Sequence, residues 1–177
     1  KGLININKMA GIKNRMIKSQ DIAFKIAPRI NSVGRLSDPN IIISLLLGTD
    51  DTELISLSKR CEKLNKQRKQ LCEEIEQDAL IQIAEHSIAN NSFILVLNKN
   101  WHSGVIGIVA SKLVQSFNKP SAVMCMDEKG MIRGSARAPA GFNLIKALEC
   151  CDGLFESYGG HKAAAGFTLS ESNLEKL

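Results

Sequence analysis

The apolar positions of this chain follow two periods, and the switch between them divides it. Residues 1–18 alternate small apolar clusters with Lys and Asn and hold no period for long. From Ser19 a helical pattern begins. Ser19 can cap a short helix, SQDIAFKIA, which is expected to stop before Pro28 because the ring disfavours helix in the preceding residue. Pro28-Arg29-Ile30-Asn31-Ser32-Val33-Gly34-Arg35 then reads as a basic loop punctuated by Pro and Gly. Asp38 caps a second helix with Pro39 at its first position and Gly48 just past its end. Its IIISLLL core is apolar all round, which predicts a buried helix. Asp50 and Glu53 open a long helix in capping-box fashion. Apolar residues recur at Leu54, Leu57, Cys61, Leu64, Leu71, Ile75, Ala79 and Ile83, mostly three or four apart. About 38 residues at a rise of 1.5 Å would reach roughly 57 Å, long enough to bridge two lobes.

Beyond Asn90-Asn91 the period changes. Phe93 to Leu97 is a continuous apolar run, the mark of a strand covered on both faces. After Trp101-His102-Ser103-Gly104 comes a helix with apolar positions at Val105, Ile108, Val109, Leu113 and Phe117, closed by Pro120. Ala122 to Met126 and Met131 to Arg137 read as two more strands, Asn143 to Cys151 as a helix, and Ala165 to Leu169 as a further strand. Strand, helix and strand in succession imply a right-handed crossover and a parallel pair. The pattern predicts an α/β fold with a mostly parallel sheet, in three segments: 1–48, the helix 49–90, and 91–177. Ser172 and Glu175 begin another helix as the sequence stops, and Lys1 stands where a start Met would. Both ends therefore read as the interior of a longer protein.

Charge sharpens this division. Residues 1–48 hold eight Lys/Arg against two Asp, and the remaining 129 residues hold fifteen against sixteen. Lys59 to Lys69, in the long helix, adds six basic residues against one acid. Such blocks suit an anionic partner, nucleic acid first, and equally a solvated face or an acidic neighbouring domain. A hydrophobic share of 44% with 23% charged residues excludes a disordered chain, and no apolar run reaches the ~20 residues of a membrane span. Five cysteines without a CxxC pair fit reduced thiols in the cytoplasm. His86, His102 and His161 lack zinc-ligand spacing.

The chemistry concentrates between Gly130 and Gly166. Ser135 offers a hydroxyl, Arg137 a planar fork of donors, and His161 an imidazole. Gly134, Gly159 and Gly160 let backbone approach a ligand closely. Together these suit a phosphate. A tight turn beside a surface arginine would leave the same trace. His102, on the loop after the first strand, sits at the edge where open α/β sheets bind ligands, or is simply an exposed loop histidine. Trp101 beside it offers a surface for one base.

Five stretches, taken in order, carry a resemblance: IAPRINSVGRL at 26–36, WHSGVIGIVASKL at 101–113, GSAR at 134–137, GFNLIKAL at 141–148 and GGHKAAAGFTL at 159–169. They resemble the RecJ family, single-strand-specific DNA exonucleases of the DHH phosphoesterase superfamily. The resemblance implies that residues 1–48 end a DHH catalytic domain, 49–90 form the connecting helix, and 91–177 form most of a DHH-associated domain. It implies 5′→3′ cleavage of single-stranded DNA in repair and recombination, with two Mn²⁺ or Mg²⁺ ions held by upstream Asp and His residues. No DHH triplet occurs here, so no metal ligand is expected in this chain and none of the activity from it alone. By the same resemblance Arg29, Asn31 and Arg35 would serve the scissile phosphate and His161 would face the metals. Ser135 and Arg137, with Trp101, His102, Gly159 and Gly160, would bind the strand and its 5′-phosphate. Single-stranded DNA would be the partner of a monomer, with a helicase or single-strand-binding protein nearby. Ala138 departs from the Ser common after GSAR, and Ser32 from the usual Ala. A non-catalytic nucleic-acid-binding or scaffolding module is the alternative, as is a phosphodiesterase of oligoribonucleotides or cyclic dinucleotides. An upstream DHH motif would separate them.

Overall fold

A computed structural model describes residues 1–12 and 15–177, so Lys13 of the basic block lies outside the described residues. The chain falls into two compact units, 1–70 and 71–177.

The first unit is helical. The unpatterned opening forms helix α1 (Gly2–Met9), which buries Gly2 and Ile6. The expected break at Pro28 does not occur. A short helix α2 (Ser19–Asp21) runs through a π-helical turn (Ile22–Ile26) straight into α3 (Ala27–Leu36). In the widened turn the Ala27 N–H reaches back to the Ile22 carbonyl. Pro28 then sits in the first turn of α3, where its missing N–H costs nothing. Arg29, Asn31 and Arg35 are therefore helical residues and not loop residues. Helix α4 (Asn40–Leu47) begins with the Asp38 carboxylate accepting the Asn40 N–H at 2.9 Å. It is not buried all round: Ile41, Ile42 and Leu45 face the core, while Ile43, Leu46 and Leu47 are exposed. A helix turns only one stripe toward one core. That core joins Ile6, Ile12, Ile26, Val33, Leu45, Leu54 and Cys61. Helix α5 (Asp51–Glu85) is capped by Asp50, whose Oδ1 accepts the Glu53 N–H at 2.7 Å, and its 35 residues begin in the first unit and end in the second.

The second unit is built on a five-stranded sheet. Its elements are β1 (Ile94–Leu97), α6 (Ile106–Phe117), β2 (Ser121–Met126), β3 (Ile132–Arg137), α7 (Leu144–Glu149), β4 (Phe155–His161) and β5 (Ala164–Leu169). The spatial order is β1-β2-β3-β5-β4. The β1–α6–β2 unit gives the parallel pair expected. The other three pairings are antiparallel, so the sheet is not mostly parallel. The local cause is a tight hairpin after β2. Asp127 Oδ1 accepts the N–H groups of Lys129 and Met131, and Gly130 takes φ +76°. A turn this short can join only antiparallel strands. Strand β4 escapes the sequence pattern because it is an edge strand with two adjacent glycines, a combination that reads as a turn. One face of the sheet carries an apolar layer of Ile132, Ala136, Ala165, Phe167 and Leu169, closed by Leu144 and Leu148 of α7.

Candidate functional site

Residues directly opposed across antiparallel strands share a face of the sheet, and that face alternates along each strand. The register therefore draws three rows across β3, β5 and β4: Arg133–Thr168–Ser157, Ser135–Gly166–Gly159 and Arg137–Ala164–His161. All three rows lie on the face opposite the apolar layer. Four of the expected residues, Ser135, Arg137, Gly159 and His161, are thus gathered on one surface whose middle is bare. With strands spaced about 4.8 Å apart, the Cα atoms of Arg137 and His161 are separated by roughly 10 Å.

The first turn of α6 closes one side of this surface. A Cβ on Gly107 would lie 2.8 Å from both the Arg137 Nη2 and the Ser135 Oγ, so α6 passes directly against these two side chains. The orphan N–H groups of that turn and its dipole favour an anion beside Ser135 and Arg137. Arg137 is pre-set: its Nη1 donates to the Ser135 Oγ at 3.0 Å and to the Ala136 carbonyl at 2.8 Å. In this state Ser135 acts as an acceptor for the guanidinium, and its own O–H remains to be donated.

His102, on the loop before α6, and His161, at the end of β4, are each held in one tautomer. His102 Nδ1 accepts the Gly104 N–H at 3.0 Å, and His161 Nδ1 accepts the Ala163 N–H at 3.3 Å. In the neutral ring the proton then sits on Nε2, so each exposed imidazole offers a donor.

Other expected residues have different roles. Trp101 is only 8% exposed, and its indole N–H donates to Asp78 Oδ2 at 2.8 Å. Asn98 donates to the same oxygen, so Asp78 on α5 anchors the whole loop and Trp101 presents no open stacking face. Gly160 has φ +148°, and a Cβ there would lie 2.3 Å from the Ala164 carbonyl oxygen. It is glycine because β4 approaches β5 closely, and it offers a ligand no more than its backbone. Gly134 is glycine because the Phe167 ring lies 2.1 Å from where its Cβ would be. Its role is packing, not ligand approach. Nothing lies within 4 Å of the Cβ position of Gly159, so that residue leaves the surface open.

In the first unit Arg29 is held from three directions. Its Nε donates to Glu62 at 2.6 Å, its Nη1 to the Lys25 carbonyl at 2.7 Å and its Nη2 to the Met9 carbonyl at 3.3 Å. Asn31 and Arg35, four residues apart and exposed, share one side of α3 and line a cavity of about 590 Å³ with Ile42 and Ile43 of α4. Ser32 is fully buried and its hydroxyl donates to the Arg29 carbonyl at 2.8 Å, so Ser in place of Ala is accommodated there.

Among the described residues no three His, Cys, Asp or Glu side chains gather as a metal site. The donor set here does not fit a two-metal centre. No described helix is long and apolar enough to cross a membrane.

Gly107 and Gly166 are site residues that the sequence pattern does not single out. A signal for Gly107 exists, since a glycine inside a helix costs about 1 kcal/mol against alanine and calls for a packing reason.

Comparison with known proteins identifies the family. Residues 89–177 match the DHHA1 domain family. Over 99% of the chain the sequence is 36% identical to the single-stranded-DNA-specific exonuclease RecJ of Bacillus subtilis, spanning 22% of that protein. The RecJ of Thermus thermophilus is 34% identical over 88% of the chain and 22% of its own length. The crystal structure of RecJ from Thermus thermophilus in complex with Mn²⁺ matches 99% of the chain and 25% of its own, with a TM-score of 0.87 and 31% identity. A crystal structure of exonuclease RecJ bound to manganese matches 97% of the chain and 41% of its own, with a TM-score of 0.82 and 32% identity. The chain thus spans about a fifth to a third of the length of the curated relatives it matches. Together with the open sheet face, these matches show that the chain belongs to the DHHA1 domain family, in the form that RecJ relatives carry.

Proposed function

We propose that this chain is part of a metal-dependent 5′→3′ exonuclease acting on single-stranded DNA in repair and recombination, and that its second unit binds the 5′-terminal phosphate. The observation that carries the proposal is the convergence of Arg137, Ser135, the first turn of α6 and His161 on one bare sheet face. Arg137 can grip two oxygens of a terminal phosphate, which carries more charge than a diester. The Ser135 hydroxyl and the α6 N–H groups add neutral donors, and the Nε2–H of His161 approaches from the far row. Gly166, Gly159 and Ala164 keep the floor low enough for a nucleotide.

In the first unit we assign phosphate contact to Asn31 and Arg35, on the exposed side of α3. Arg29, bonded on three sides, positions that helix. Mn²⁺ or Mg²⁺ in such an enzyme supplies an activated water and steadies the leaving oxygen. The residues described here bind and orient the strand. Five free cysteines support a cytoplasmic setting. We keep a monomer, with a helicase or single-strand-binding protein as accessory partner, within the same proposal.

The test is kcat/KM of the full-length enzyme on matched strands with a 5′-phosphate or a 5′-hydroxyl. A charge-assisted hydrogen bond is worth about 1.5–3 kcal/mol. Arg137→Ala should therefore slow the phosphorylated strand by roughly tenfold to a hundredfold and the hydroxyl strand far less. Equal slowing of both would remove Arg137 as the reader of the end.

A further inference from the structure

Helix α5 carries a row of positive charge that the proposed function does not use. Lys59, Lys63 and Lys66 are exposed and recur at intervals of four and three, so they share one side of the helix. Leu54, Ser58, Cys61 and Asn65 are buried, and their positions put the core on the far side from this row. At 1.5 Å per residue the row is about 10 Å long. Arg60, also exposed, flanks it.

The row differs from an ordinary solvated face in sign and in surroundings. Its three amines have no hydrogen-bond or ion-pair partner among the described residues. Like charges four apart on a helix repel, and a solvated face ordinarily mixes signs. The only acid between Lys59 and Lys69 is Glu62, and it is spent on Arg29 at 2.6 Å. Toward α3 the charge is continuous: Arg60 Nη2 donates to the Ser37 Oγ at 3.3 Å, and Ser37 ends α3 two residues past Arg35. Asp38, the next residue, is engaged in capping α4. Toward the other end Glu73 and Glu74 reverse the sign and bound the row. No aromatic residue stands between Lys59 and Lys69, so the row offers charge to a backbone and no platform for bases. Lysine, a point charge on a flexible stem, suits phosphodiesters of any sequence.

We infer that Lys59, Lys63 and Lys66, joined to α3 through Arg60, carry the part of the DNA strand that lies 3′ of the bond to be cut. The inference rests on the reading of Arg35 as a phosphate contact, and the experiment separates the two.

The full-length enzyme and its triple variant Lys59→Gln/Lys63→Gln/Lys66→Gln are compared on a 5′-phosphorylated thymidine dinucleotide and on a longer oligothymidylate that extends well past the cut. Gln keeps the helix propensity of Lys and removes its charge. Kd is read by fluorescence anisotropy in EDTA, where nothing is cut, between about 50 and 200 mM NaCl. For the long strand the triple variant should weaken binding by about tenfold or more at the low salt, and the slope of log K against log salt should become shallower by about 2, because each lost contact removes about 0.7. The dinucleotide holds only the terminal phosphate and the diester to be cut, so it should bind both proteins alike. With Mn²⁺ added, KM for the long strand should rise while kcat stays the same. The track is overturned if the long strand keeps its wild-type Kd and slope, or if the dinucleotide is weakened as much as the long strand. It is also overturned if the triple variant lowers Tm without touching strand binding, which would give the row to an acidic surface of the protein itself. Arg35→Gln should lower kcat on both lengths. An unchanged kcat there, with the effect of the triple variant intact, would overturn the reading of Arg35 and leave the track standing.

Discussion

Arg29 and Arg137 look alike in the sequence, each in a short basic stretch next to small residues, yet the protein treats them differently. Arg29 is tied to α5 through Glu62, to the π-helical turn through the Lys25 carbonyl, and to the end of α1 through the Met9 carbonyl. Its bonds join three elements of the helical unit. Arg137 donates to Ser135 and Ala136 of its own strand, and its Nη2 lies next to Gly107 of α6. Bonds between elements make an arginine part of the fold. Bonds to the neighbouring Ser135 and Ala136 fix the direction of a guanidinium, which is what a ligand-binding group needs.

The largest effect expected from this contrast lies in the sheet, at its paired glycines. Gly160→Ala places a Cβ against the Ala164 carbonyl at a φ that L residues avoid, and should cost about 3 kcal/mol from overpacking and backbone strain together. Gly159→Ala meets nothing within 4 Å and should change stability by less than about 0.5 kcal/mol while weakening nucleotide binding. Trp101 is the only tryptophan and belongs to the second unit, so its fluorescence in a denaturant titration checks both values. If the two variants are equally stable, the sheet face is not shaped as described.

The arginines themselves come next. Arg29→Ala removes one partner from an ion pair whose side chains are 14% and 20% exposed, and should destabilise the helical unit by about 2 kcal/mol. Arg137→Ala should cost less than about 1 kcal/mol. Far-UV circular dichroism during urea unfolding reports the first, and Trp101 fluorescence the second. A reversed order would mean that Arg137 is the structural residue.

The elements of the second unit are largely legible because β1, β2, β3 and β5 bury at least one face, and burial writes an apolar pattern into the sequence. Strand β4 is not legible: it is exposed at nearly every position, and Gly159-Gly160 reads as a turn. The pattern overstates the parallel sheet because a strand–helix–strand unit is visible in sequence, whereas the direction of β5 depends on which neighbour it joins. Pro28 misleads for a local reason, since the π-helical turn ahead of it lets the helix continue. The site is legible as a set of residue types, Ser135, Arg137 and His161. What stays hidden is the register that aligns them, together with Gly107 and Gly166, whose contribution is the absence of a side chain. Trp101 shows the converse. A lone tryptophan on a loop suggests stacking, and only its burial and its bond to Asp78 reveal it as a support.

The smallest effect is the most specific, and it repeats the comparison between the units with two carboxylates. Asp21 lies well below the usual range because Arg15 bonds it, at 2.5 and 2.6 Å, followed by the Lys18 N–H and Lys25. Asp127 is lowered chiefly by the N–H groups of Met131 and Lys129, with Arg133 a lesser cause. A folded pKa below the unfolded value of about 3.9 means that the charged form stabilises the fold at neutral pH. That contribution is complete above the unfolded pKa and fades as pH falls through the folded one. The stability gap between wild type and Asp21→Asn, or Asp127→Asn, should therefore be constant from about pH 7 to pH 5 and narrow below about pH 4. Salt separates the two. The pairing of Asp21 with Arg15 and Lys25 is ionic and partly exposed, so 1 M NaCl should shrink its gap, because the screening length falls to about 3 Å. The gap at Asp127 rests mainly on fixed backbone donors within a hairpin and should survive most of that salt. Urea unfolding at pH 7 and pH 3.5, with and without salt, measures all four quantities. Equal salt sensitivity at the two positions would show that Arg133, and not the hairpin backbone, is the principal partner of Asp127.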